Sequence, residues 1–411
     1  MNITSKDIIH SCTSCGGCAA VCPTNAIVML VNGQGFYRPV LDLKKCVDCS
    51  LCVKICYKYD DVKRYDLIEH KEAQMLACQA KDNDVLDTTT SGGVAYLLAK
   101  ALYRQGYKCV GVVYDTLDDI AKHICAVDER DIELFKGSKY IQSMTYPAFK
   151  KMLDKKVRGK KTVLFGTPCQ IYAVNKFLET VNRREDFLLV DIYCHGCPSL
   201  KIWHKYVQEV KKLIKKPKFD LVDFRSKIKG WGNFYIIEVI IEGVQVFISN
   251  RKKDEFYQLF FSNLMLNEAC QSCALRSSLE YTDIRLGDFW GKCYDTETKG
   301  VSGVTLVTDK GKQAFEFIRN EITVKKHDFA DFLPYQSWNV NYHVDEKVRN
   351  HLFEMLRNRS LKEIQNYYFA HQPFSQIIKR YLKNVVFLLS PQLINRIKEI
   401  YHQIHALKNY F

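Results

Sequence analysis

The chain carries 411 residues, 47% of them hydrophobic and 26% charged, and no low-complexity run interrupts it. That balance excludes a disordered polymer and predicts a soluble, compact protein of two or three domains, at roughly 100–200 residues each. A formal charge of +14 points to an acidic redox partner or an anionic membrane face, and without a zinc-finger, helix-turn-helix or RNA-binding signature it excludes a nucleic-acid partner.

The start, MNITSKDIIH, lacks the basic and apolar regions of a secretory signal, and no stretch reaches the ~18 continuous apolar residues of a membrane span, so a cytoplasmic location is expected. In that reducing compartment the 17 cysteines read as metal ligands and not as disulfides, because they cluster at ligand spacing.

In chain order, the first signal is Cys12-x2-Cys15-x2-Cys18-x3-Cys22-Pro23, the bacterial ferredoxin run, which Cys46-x2-Cys49-x2-Cys52-x3-Cys56 repeats without the proline. Three thiolates within seven residues wrap one corner of a 4Fe-4S cubane, and the fourth reaches across to the other cluster. Cys12, Cys15, Cys18 and Cys56 are therefore expected on one cluster, and Cys22, Cys46, Cys49 and Cys52 on the other. Zinc also uses C-x2-C pairs, but its sites separate two pairs by a dozen or more residues. Between the runs, AIVMLVNGQGFYRPVLDL reads as a hairpin turning at Asn32-Gly33-Gln34-Gly35. Residues 1–60 make up this ferredoxin domain, and Tyr59 to Glu72 reads as a linker.

A second domain is expected over 85–330. Thr88 to Tyr107 reads as a polar, glycine-containing start followed by a helix. Lys108 to Tyr114, Lys161 to Phe165 and Phe187 to Tyr193 read as buried strands, and Phe234 to Ile248 as a hairpin around Glu242-Gly243 that adds antiparallel pairing to the sheet. The expected fold class is α+β, or mixed α/β: a ferredoxin-like module, a mixed-sheet body and a helical C-terminal tail. The tail, 331–411, turns basic. From His371 to Phe411 six Lys or Arg stand against one Glu, on two amphipathic stretches running from Ile377 and from Ile394, a composition suited to peripheral docking on the inner membrane face or to packing on the chain's own body.

The body has cysteines of its own, in Gly166-Thr167-Pro168-Cys169-Gln170, Cys194-His195-Gly196-Cys197-Pro198 and Cys270-x2-Cys273. The first two follow predicted strands, where α/β sheets present ligands, although a buried cysteine is also an ordinary core residue. With Thr90-Ser91-Gly92-Gly93, the stretch Gly137 to Ser143, Phe224-Arg225-Ser226-Lys227, Gly230-Trp231 and Gly287-Asp288-Phe289-Trp290-Gly291, these motifs resemble, in order, the family of β subunits of coenzyme F420-reducing hydrogenases and dehydrogenases.

The resemblance implies FAD, a third 4Fe-4S cluster on Cys169, Cys194, Cys270 and Cys273, and hydride exchange with a deazaflavin or comparable carrier. Cys197 stands where a small apolar residue is expected and offers an alternative ligand; Cys293 offers another. For FAD the residues are Ser91, Gly92, Gly93, Ser138, Lys139, Gln142, Ser143, Gly166, Pro168, Gly196, Arg225 and Lys227. Ser91-Gly92-Gly93 opens a helix, where bare N–H groups meet a pyrophosphate or serve as an ordinary cap. His195 is the candidate catalytic proton donor, or a structural hydrogen-bonder.

The expected function is a flavin-dependent iron–sulfur oxidoreductase. Its partners would be a redox protein or ferredoxin and a hydride carrier, deazaflavin or nicotinamide, or a small-molecule substrate. The alternative is a flavin-free subunit relaying electrons between a partner enzyme and a ferredoxin.

Overall fold

Apolar runs too short for helices and rich in Val, Leu and Ile form the heart of the largest sheet. The computed structural model describes residues 1–6, 9–64, 72–154, 156, 158–233, 237–249 and 254–372. The chain opens with α1 (Gly17–Val21), the hairpin of β1 (Ile27–Val31) and β2 (Tyr37–Leu41), and α2 (Leu51–Lys54). Next come β3 (Gln74–Ala80), α3 (Asn83–Thr88), α4 (Val94–Arg104), β4 (Lys108–Asp115), β5 (Ile120–Cys125), α5 (Glu129–Glu133) and β6 (Ser143–Met144). They are followed by α6 (Tyr146–Leu153), β7 (Thr162–Phe165), α7 (Pro168–Thr180), β8 (Phe187–Ile192), α8 (Leu200–Ile214) and β9 (Leu221–Asp223). Then stand β10 (Glu238–Ile241), β11 (Val244–Ile248), α9 (Glu255–Phe261), β12 (Ile284–Asp288) and β13 (Ser302–Leu306). Last are α10 (Asp309–Glu316), β14 (Ile322–His327), α11 (Phe329–Phe332), α12 (Glu346–Met355) and α13 (Leu361–Ala370).

Nine strands form one sheet in the order β14-β3-β13-β12-β8-β7-β4-β5-β6. Its centre is parallel, β12 to β8 to β7 to β4, and the flanking pairs β12–β13, β13–β3, β3–β14 and β4–β5 are antiparallel. The fold is therefore mixed α/β. Parallel strands are covered on both faces and need apolar side chains on both. Val163 and Leu188 pack with Leu98 and Leu102 of α4 on one face, while Leu164 and Leu189 pack with Phe149, Ile171 and Val174 of α6 and α7 on the other.

Several expectations change. The sheet begins at Gln74, ahead of the expected boundary at 85, because β3 lies between β14 and β13. Its sequence, QMLACQA, places polar residues inside an otherwise apolar strand, which hides the period. The Glu242-Gly243 turn forms, with φ +52° and +75°, but its strands join β9 in a separate three-stranded sheet and do not extend the large one. Residues 333–345 are mostly irregular, so the helical segment starts at Glu346.

Met1–Asp345 forms one compact unit and Glu346–Phe411 a second. The ferredoxin motif is thus built into the body. Within the second unit α12 packs on α13, whose start carries a capping box between Ser360 and Glu363. Both basic amphipathic stretches of the tail lie outside the described residues.

Candidate iron–sulfur site

Both cysteine runs adopt the same unusual backbone. Ser14 and Gly16 in the first, and Asp48 and Ser50 at the equivalent places in the second, have positive φ, and a short helix follows each run. Left-handed residues between ligands curl the chain around a centre. A cavity in this region is lined by Cys12, Cys15, Cys18 and Cys56 together, which places the distant fourth cysteine with the first three. That donor set and enclosure fit a cubane. Cys52 senses Cys49 and Cys22, in keeping with the second set.

Burial dominates these thiols. It pushes Cys12 up to about 11 and Cys56 up to about 12, with Cys15 adding to both, and holds Cys18 well above its ordinary value. Cys22 is different. Its desolvation is outweighed by hydrogen bonds from Thr24 and Ala26, the Ala26 N–H lying 3.2 Å from its sulfur, and its thiol titrates lower than usual. Buried thiols that repel one another's charge need a cation to become thiolates, so iron binding must release protons.

The body brings its own cysteines to this place. Cys169 stands in the first turn of α7, which Thr167 caps with a full capping box involving Gln170, and Thr167 Oγ1 lies 3.3 Å from its sulfur. Cys194 follows the carboxyl end of β8, one strand over from β7, which leads into α7. Cys169 feels Cys15, Cys273 and Cys194; Cys270 feels Cys194 and Cys273; Cys197 feels Cys270, Cys194 and Cys169. Five body cysteines therefore converge beside the first ferredoxin run. Cys293 does not join them: it is exposed and stands with His327 and Asp331.

Arg276, which no motif signals, ties this group together. Its guanidinium donates to the carbonyls of Cys194 (3.2 Å), His195 (2.8 Å) and Cys270 (2.6 Å) and lies 4.5 Å over the Tyr342 ring. Behind it, Arg285 donates to the Arg276 carbonyl and makes a buried two-point pair with Asp191 at 2.8 and 2.6 Å. Arg38 and Asn267 bind the ferredoxin loop to the body. Arg38 donates to Ser14 Oγ and to the His10 carbonyl, each at 2.9 Å, and Asn267 Nδ2 donates to the Cys12 carbonyl at 3.0 Å. A lone Arg or Asn outside a motif carries no sequence signal for such a role.

The residues expected to hold FAD make contacts within the protein. Gly92 lies against strand backbone: a Cβ there would come within 2.2 Å of the Cys78 carbonyl oxygen and 2.6 Å of the Ser302 nitrogen. Ser91 Oγ donates to the Val301 carbonyl at 2.8 Å, and Gly93 caps α4 with φ +83°. Ser138 N–H donates to Thr90 Oγ1 at 2.8 Å. Lys139 Nζ donates to the carbonyls of Leu134, Phe135 and Lys136, and burial lowers its amine to about 7. Lys227 Nζ donates to the carbonyls of Leu86, Ser91 and Lys299, and burial lowers it to about 8. Gln142 joins the carbonyls of Gly35 and Pro198 to the Tyr37 N–H, Ser143 Oγ accepts from Gln170, and Arg225 pairs with Asp288. Gly166 sits against the Gln170 side chain, Pro168 starts α7, and Gly196 approaches Leu266 and Cys270. The side chains of Ser91, Lys139, Gln142, Ser143, Arg225 and Lys227 thus each bond to the protein itself.

His195 is similarly committed. Its Nδ1 faces Ser337 Oγ (3.1 Å) and Tyr342 Oη (3.0 Å), and its Nε2 faces Asn263 Oδ1 at 2.8 Å. Burial lowers it to about 4, so the ring stays neutral and acts as a hydrogen-bonding strut.

Two paired cysteine runs around a four-cysteine cavity define an iron–sulfur electron-transfer protein. The 4Fe-4S dicluster domain model matches residues 11–58, and the model for the C terminus of the coenzyme F420 hydrogenase/dehydrogenase beta subunit matches residues 159–331. Over residues 159–331 the chain thus matches that family of beta subunits, and ahead of this stretch it carries a ferredoxin domain. It is 23% identical over 324 residues to a subunit of the F420H2 dehydrogenase from Methanosarcina mazei, covering 76% of this chain and 84% of the relative. Among solved structures it is similar to a chain of the F420-reducing NiFe hydrogenase complex from Methanosarcina barkeri, at 17% identity and a TM-score of 0.44, covering 75% of this chain and 92% of that one. Among the described residues no helix is long and apolar enough to cross a membrane.

Proposed function

We propose that the chain is an iron–sulfur oxidoreductase subunit that passes single electrons between a redox partner protein and a hydride carrier. The observation that carries this reading is the gathering of Cys12, Cys15, Cys18 and Cys56 around one cavity, supported by Cys169 of the body lying near enough to Cys15 for that thiol to raise its pKa. Bound 4Fe-4S clusters supply one-electron steps, and a flavin supplies the exchange between those steps and a two-electron hydride. Cys12, Cys15, Cys18 and Cys56 would hold one cluster, Cys22, Cys46, Cys49 and Cys52 the second, and Cys169, Cys194, Cys270 and Cys273 a third. Arg276 and Arg38 position the backbone around these ligands and set positive charge beside them. The name of the Methanosarcina mazei relative makes reduced coenzyme F420 the first carrier to test, ahead of nicotinamide.

In the finer form of this reading FAD binds this chain. A second reading, the flavin-free relay, is favoured by the commitment of Lys139, Lys227 and Gln142 to carbonyls of the chain. Anaerobic purification with iron, sulfide and flavin analysis separates them. The full proposal expects about 12 irons, four for each of three clusters. Near eight irons removes the third cluster, iron without flavin selects the relay, and zinc replacing the iron overturns both readings. Docking of the basic stretch 371–411 on an anionic surface is proposed on its charge alone, and truncation before Ser375 tests it by sedimentation with anionic liposomes.

A further inference from the structure

Cys293, left aside by the converging cysteines, has different company. It lies in the turn Lys292–Tyr294 after β12, while His327 is the last residue of β14 and Asp331 lies in α11. The three residues come from three separate elements, yet one ligand atom from each lies within 4.8 Å of the others.

The imidazole is oriented at both ends. His327 Nδ1 is 3.2 Å from Asp331 Oδ2, and Nε2 is 2.9 Å from the Tyr294 hydroxyl. A metal-bound histidine needs this division, with one nitrogen on the metal side and the other fixed by a hydrogen bond that sets tautomer and ring angle. The Phe289 ring packs against the imidazole at 4.7 Å between centroids, and the His327 side chain is 5% exposed. Cys293 is exposed and Asp331 is 46% exposed, so the ring is fixed from inside and the other two donors close from the solvent side.

We propose that Cys293, His327 and Asp331 form a mononuclear site for a zinc-class divalent cation, with water at the fourth position. A thiolate, an imidazole and a carboxylate are the ligands that zinc combines, and three protein ligands leave a tetrahedral site open. Binding expels the Cys293 proton and leaves the His327 Nε2–H on Tyr294. The site uses none of the cysteines assigned to the iron clusters.

The test uses the full chain, loaded anaerobically with iron, incubated with zinc, desalted and analysed for both metals. Wild type retains one zinc beyond its iron, and C293S and D331N, both at exposed positions, lose that zinc with iron unchanged. H327A behaves likewise, and Y294F, which removes only the outer hydrogen bond, binds roughly 10–100-fold more weakly. Zinc-edge X-ray absorption places one sulfur at about 2.3 Å. No zinc retained by wild type, zinc retained by C293S, zinc without a sulfur neighbour, or zinc gained only as iron is lost would each overturn the proposal.

Discussion

The Thr145 hydroxyl donates a 2.8 Å hydrogen bond to the carbonyl of Cys15, joining the threonine that precedes α6 to the middle of the first cysteine run. The same hydroxyl fills the space where a Cβ on Gly16 would lie, 2.1 Å away. Body and cluster loop are thus shaped to fit each other, and Gly16 is glycine for two reasons, its φ of +73° and this approach.

Replacing Thr145 with Val keeps the bulk and removes the donor. Losing a hydrogen bond to a partly buried carbonyl costs about 1 kcal/mol. We expect iron in the first ferredoxin site to be released to a chelator several-fold faster, with the far-ultraviolet circular dichroism of the body unchanged. Equal release rates in wild type and T145V would show that the loop holds its shape without the body.

Gly92→Ala separates two uses of the Ser91-Gly92-Gly93 motif. The added methyl meets the backbones of β3 and β13, neither of which can rotate aside, so overpacking of about 1–3 kcal/mol or more is expected. The apo-protein should melt several degrees lower. An unchanged melt with loss of flavin alone would return the glycine to a pyrophosphate-binding role.

The strands β4, β7 and β8 are legible because their runs are apolar on both faces, and the eight ferredoxin cysteines because their spacing is metal chemistry written locally. β3 is not: QMLACQA mixes polar and apolar residues, and only pairing with β13 and β14 makes it a strand. Lys139, Gln142 and Lys227 look like ligand donors because a sequence displays a donor but not the carbonyls it will meet. Arg276 is invisible for the converse reason, since its partners at 194, 195 and 270 assemble only in the folded chain.

His123 makes stability depend on pH. Its Nε2 donates to the Phe165 carbonyl at 3.1 Å, its Nδ1 is buried without a partner, and burial lowers its pKa from 6.5 to about 4. The folded state therefore keeps the ring neutral while the unfolded state takes up a proton, so stability is lost as pH falls from about 6.5 towards 4, by up to about 1.4 kcal/mol per pH unit. Anaerobic urea unfolding of wild type and H123Q at pH 7 and pH 5 isolates this contribution, because the acid lability of clusters is common to both. Wild type should lose about 2 kcal/mol more than the variant. Parallel losses would mean that the ring is accessible to protons in the folded state.

Five cysteines stand where a cubane takes four, and the structure distinguishes Cys197 from the rest. Its backbone N–H donates to the Cys270 sulfur, a contact that lowers the Cys270 pKa against the larger effect of burial. A residue whose main chain supports a neighbouring ligand serves the site without its own thiol, and Ser at 197 preserves that donor. Hydrogen bonds to cluster sulfurs tune potential, so the side chain of Cys197 should matter little and its backbone more. We expect C197S to keep the full iron content, whereas C273S, C194S and C169S each lose about four irons per chain. The ferredoxin pair should persist in all four variants, visible as an unchanged low-temperature signal from the reduced ferredoxin clusters and, in the three that lose iron, as about eight remaining irons. If C197S loses four irons and C273S retains them, the third set is Cys169, Cys194, Cys197 and Cys270, with Cys273 the spare thiol.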